Sequence, residues 1–227
     1  MKTIVTFYLA VIVTALLAVD SAAEEAKVLL RTDIPKPPFM SIQLYVPTNN
    51  MEPRLSGKRV FYVPAGTTNL ALHQLVSASE KPTVGNLAMI TDGDKDGADG
   101  SWMELPAWRQ WIQIDLKTQA EIYAIIVWHY WYRPRVYLGV IAAVSDDPEF
   151  KKDVKVVFNN DVENAQGFGN ATNCNYCEEY RGKLIDAKGV KGRYVRLYSN
   201  GNSENNRNQY VEVEVHGKAT LENGKDE

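Results

Sequence analysis

Residues 193 to 217 constrain the fold of this chain more than any other segment. Two stretches of period two flank a polar loop. In the first, Val195 and Leu197 alternate with Tyr194, Arg196 and Tyr198. In the second, Val211, Val213 and Val215 alternate with Glu212, Glu214 and His216. Period two with one apolar face is the pattern of a strand that lines half of a packed sheet. Asn200, Asn202, Asn205, Asn206 and Asn208 fill the loop between them.

The same period recurs upstream. Residues Trp111 to Leu116 alternate, Ile122 to Trp131 is a β-branched and aromatic run, and Tyr137 to Val144 and Lys155 to Phe158 read as further strands. Turn signals stand at Asp147-Pro148, at Asn159-Asn160-Asp161, from Gly167 to Gly169 and from Gly189 to Gly192. Many short strands with regular turns and little helical periodicity predict an all-β sandwich or barrel.

The N-terminus has its own logic. Lys2 precedes an apolar run from Ile4 to Val19, and small residues Ser21, Ala22 and Ala23 follow. This is the make-up of a secretory signal peptide over residues 1–23. The run of about 16 residues is short of the roughly 20 that a membrane-spanning helix needs. The chain is therefore expected outside the cytoplasm, extracellular or periplasmic, with membrane insertion disfavoured. Pro35, Pro37, Pro38, Pro47 and Pro53 mark residues 24–58 as an extended arm or linker. A β domain is expected over residues 59–218, with a charged tail over 219–227. A formal net charge of -3 leaves no electrostatic footprint for nucleic acid or anionic lipid.

Several segments, in order, resemble the discoidin (coagulation-factor type C) family. They are Val76-Ser77-Ala78-Ser79, then Ile90-Thr91-Asp92-Gly93-Asp94, then Gln110 to Leu116, then Ile122 to Trp128, then Arg193 to Leu197, and finally Glu212 to Gly217. The resemblance covers roughly residues 66 to 217. It implies an antiparallel jelly-roll β-sandwich of the galactose-binding-like type and a secreted binding module rather than an enzyme.

Asp92, Asp94, Asp96 and Asp99 crowd four carboxylates into eight residues. Hard divalent cations take six to eight oxygens from such loops. An EF-hand is excluded, because Met103 stands where that loop needs a bidentate Glu. The family resemblance implies instead a structural Ca2+ held by Asp92, Asp94, Asp99 and Ser101 and by Glu212 or Glu214 of the last strand. The alternative is a solvated acidic turn.

The stretch from His129 to Tyr137 is the densest in aromatic residues. Rings cover the C–H face of a sugar and polar side chains bond its hydroxyls. His129, Trp131, Tyr132, Arg133 and Arg135 are therefore candidate ligand contacts, and the two arginines suit the anionic groups of acidic glycans. Core packing is the competing role for each ring. Asn202, Asn205 and Asn206 form a second candidate surface, since amides both donate and accept. Cys174 and Cys177 are the only cysteines, and in a secreted chain they predict a local disulfide. No nucleophile, zinc-protease or phosphate-loop motif is present. The sequence thus predicts a non-catalytic module for an extracellular polysaccharide or cell-surface glycan. An extracellular adhesion module that binds another protein is the alternative.

Overall fold

The computed structural model describes residues 25–36, 49–53, 57–133 and 135–220. The expected leader, Phe39 to Tyr45 of the proline-rich segment and the tail beyond residue 220 lie outside the described residues. Among the described residues there are ten strands: β1 (Lys27–Leu29), β2 (Tyr62–Pro64), β3 (Thr68–Asn69), β4 (Val76–Ala78), β5 (Met103–Leu105), β6 (Arg109–His129), β7 (Ile141–Ser145), β8 (Lys155–Asn159), β9 (Lys183–Asn200) and β10 (Asn208–Ala219). One 3-10 turn, Leu87–Ile90, is the only helical piece among the described residues. No described helix is long and apolar enough to cross a membrane.

Eight strands join in the order β3-β10-β6-β9-β7-β8, with β4 also on β6 and β5 also on β10. Every pairing between these strands is antiparallel. The sheet folds into two layers because β6 and β9 are long and bent. The first half of β6 pairs with β4 and with the second half of β9. Its second half pairs with β10 and with the first half of β9. Lys188 and Gly189 take positive φ in β9 opposite Tyr123, and Lys117 takes it in β6 at the bend where pairing lapses between Asp115 and Ala120. Arg193 clamps it, donating from Nε and Nη2 to the two carboxylate oxygens of Asp115 at 2.8 and 3.0 Å. The expected break between two strands at residues 117–121, and the expected turn at Gly189 to Gly192, are thus bends within continuous strands. The strand expected from Tyr137 begins only at Ile141, and Tyr137 makes a single bridge to Asn202.

The main core lies between the layers. Ile112, Ile114, Ile125, Val127, Val144, Val195, Leu197, Val213 and Val215 meet there, all buried. The alternation of β9 and β10 sets this face. A bulge at Val211 turns that one residue to the opposite side, where it joins Ile126, Trp128 and Trp131 in a second cluster. Leu30 packs on this outer cluster, and β1 pairs with β2. The described parts of the N-terminal segment therefore lie against the sandwich.

Candidate functional site

Two regions carry unusual chemistry. The first is the acidic loop and the outer face of β10. The Gly93 N–H donates to Glu212 Oε2 at 3.2 Å, which ties the loop to the last strand. Glu212 is 0% exposed and its Oε1 has no hydrogen-bond partner. Burial, reinforced by nearby Asp92 and Glu214 and opposed by the Gly93 N–H and Lys95, pushes its carboxyl up to about 9. Glu214, two residues on, is also buried, but hydrogen bonds from His216 and Lys95 outweigh the desolvation and hold it below the ordinary value. Lys95 Nζ lies 2.9 Å from Glu214 Oε1.

Asp94 and Asp96 spend side-chain oxygens on the N–H groups of Asp96 and Ala98, and Asp92 does the same for Asp94. Asp99 is exposed, and the Ser101 N–H donates to Ala98 O. Among the described residues no three His, Cys, Asp or Glu side chains converge into a metal cage. A cation here would use Glu212 Oε1, Asp92 and loop carbonyls. The buried, partnerless carboxylate oxygen fits such an ion.

Most of the aromatic stretch is turned inward. His129 ends β6 and is 0% exposed. Its Nδ1 lies 2.7 Å from Glu178 Oε1, and its ring stacks on Tyr137. Trp131 is 6% exposed, and its Nε1 donates to Lys95 O. Gly97 lies so close that a Cβ there would stand 2.9 Å from the indole. Trp131 therefore braces the acidic loop. Arg135 is buried, donates to Gln209 Oε1 and covers the Tyr130 ring. Only Tyr132 and Arg133 of this set are exposed. The strand ends at His129, so its alternation no longer decides where later side chains point.

Asn202 is also buried. Its Nδ2 bonds Asn205 Oδ1 and Arg207 O, and its Oδ1 accepts from Glu204 and Asn205. It organises the loop. Asn205 and Asn206 stay exposed. No disulfide joins Cys174 and Cys177: Cys174 Sγ donates to Asn50 Oδ1 at 3.3 Å, and Cys177 Sγ bonds the Glu178 carbonyl. The Cys174 thiol thus reaches the 49–53 segment.

The second region lies where β6, β9 and β10 meet the loops at one end of the sandwich. Trp108 is 66% exposed, with φ of 71°. Left-handed backbone is strained for a bulky residue, and such strain persists where the surroundings over-determine it. Here the Trp108 N–H donates to Asn206 O, and the Asn208 amide donates to both Trp108 O and Pro106 O. Arg109, the next residue, pairs with Asn200 across the sheet. Asn200 in turn lines a cleft of about 440 Å³, a size that suits a small ligand. Its walls are Asn49 and Asn50, then Leu138 and Gly139, then Asn160 to Glu163, then Asn175. Trp108 thus precedes the residue that pairs with Asn200, itself part of a cleft of amides and carboxylates. Nothing in the strand alternation points to Trp108. The available signal is a large aromatic in a Pro106-Ala107 turn just before a strand.

The chain matches no protein-family model and no curated protein. Solved structures do resemble it. A family 89 glycoside hydrolase from Clostridium perfringens aligns at TM-score 0.50 and 19% identity over 67% of this chain. The aligned part is 15% of the hydrolase's length. A fucolectin from striped bass serum aligns at TM-score 0.49 and 18% identity, over 70% of this chain and 52% of the lectin. A fucose-binding module from Streptococcus pneumoniae aligns at TM-score 0.44 and 19% identity, over 65% of this chain and 96% of the module. The chain shares an antiparallel β-sandwich fold with the aligned part of the hydrolase. At these identities the likeness extends to the fold alone.

Proposed function

We propose that this chain is a secreted, non-catalytic glycan-binding domain whose ligand stacks on Trp108 and reaches into the amide-lined cleft beside it. Trp108 carries the reading. A large ring is held in solvent, in strained backbone, by two hydrogen bonds to the Asn-rich loop. Aromatic faces cover the C–H patches of sugars, while amides satisfy hydroxyls in both directions. The fold shared with lectin-like modules agrees with this but does not carry it. A glycan array probed with the mature chain and with Trp108→Ala tests it: specific binding lost in the variant supports the reading, and no binding to any glycan refutes it.

A structural Ca2+ belongs to the same proposal. Glu212 with Asp92 and carbonyls of the 92–101 loop would hold it, and it would supply the charge that the buried Glu212 Oε1 lacks. Protein docking is the second reading. Leu29, Val60 and Tyr62, on and beside the β1–β2 pair, share one face by strand alternation and are all exposed, a set of apolar side chains suited to a partner surface.

A further inference from the structure

We infer that the cleft beside Trp108 selects amino sugars over uncharged ones and rejects uronate and sulfated sugars. The inference rests on the glycan-binding reading and names its ligand class. Asp161 is 2% exposed. Its Oδ2 accepts the Gln166 N–H at 2.7 Å, while its Oδ1 accepts no hydrogen bond among the described residues. Oδ1 is reachable because residue 139 is glycine. A Cβ at Gly139 would lie 3.5 Å from Asp161 Oδ1 and 3.1 Å from Asn200 Cβ, closing the gap between them. Gly139 also has φ of 57°, so no other residue fits there without strain.

Glu163 adds a second carboxylate to the lining, which holds no lysine or arginine among the described residues. Arg109, the cation next to Trp108, donates to Ala165 O, and Arg135 is committed to Gln209. A buried carboxylate with an open lone pair favours a cationic donor and repels an anion. This preference is opposite to the acidic-glycan one that Arg133 and Arg135 suggest in the sequence. The Asn200 amide and Asn175 Oδ1 remain for hydroxyl groups, the Asn175 Nδ2 being spent on Asn49 O, and Leu138 remains for a C–H face.

The test is calorimetry on the mature chain with three oligosaccharides of equal length: a glucosamine oligomer with free amines, its N-acetylated counterpart, and an oligouronate. The amine form is expected to bind about tenfold tighter than the acetylated form, near 1.4 kcal/mol. The advantage should shrink as salt rises. The oligouronate should bind most weakly. Asp161→Asn should bring the first two within about twofold, and Glu163→Gln, at an exposed position that cannot threaten folding, should narrow the gap in the same direction. Equal or tighter oligouronate binding overturns the inference. So does an amine advantage that survives both variants. If only an uncharged glycan from the array binds, the amino-sugar preference falls and the glycan-binding reading stands. If nothing binds, both fall.

Discussion

Substituting Glu212 by glutamine should change how stability depends on pH. The Glu212 carboxyl sits near 9 in the folded chain against an ordinary 4.5. In that window the folded state holds a proton that the unfolded state has released, so stability falls as pH rises. Each pH unit between the two values costs about 1.4 kcal/mol, so about 3 kcal/mol is lost between pH 6 and pH 8 in the absence of divalent metal. Glutamine keeps an acceptor for the Gly93 N–H but cannot ionise. Glu212→Gln should therefore match the parent at pH 4 and exceed it by a margin that grows with pH. Urea unfolding across pH 4 to 8, in chelator, measures this directly. Added Ca2+ should flatten the parent profile, because an ion bound only by the folded state offsets the buried charge. A difference between variant and parent that stays constant from pH 6 to pH 8 would refute the reasoning.

Trp108→Gly should raise the melting temperature by about 2–4 °C per kcal/mol of relieved strain, on the order of 1–2 kcal/mol, while glycan binding is lost. A lower melting temperature by calorimetry would show that the indole packs more than its exposure indicates. Gly182→Ala should destabilise by roughly 3 kcal/mol or more, because its Cβ would stand 2.6 Å from Trp128 at a φ of 64°; chemical denaturation reads the loss. Reductant should leave the melting curve unchanged, and thiol titration of the unfolded chain should find two reactive groups, since no disulfide links Cys174 and Cys177.

The sandwich was legible because its strands alternate. Val213 and Val215, and Ile112 and Ile114, face the core as period two requires. The continuity of β6 and β9 was not legible, because their pairing lapses at Lys117 and Lys188, where Asp115 and Asp186 accept the lysine N–H groups as in a turn, and resumes beyond. Glycine at 189 reads as a turn for the same local reason that it permits a bend. The tie between the acidic loop and Glu212 follows from the family resemblance, but the burial of Glu212 does not. His129 and Trp131 looked like binding residues because aromatic density says nothing about which rings a strand end turns inward. The cleft joins the 49–50, 138–139, 160–163, 175 and 200 positions, which only the tertiary fold brings together.

The central claim is best tested by mapping amide and indole NMR shifts while the 15N-labelled domain is titrated with the tightest array ligand. The account predicts the largest shifts at the Trp108 indole, Asn200, Gly139 and Asn175. Shifts confined to the β1–β2 pair, with Trp108 unmoved, would contradict it.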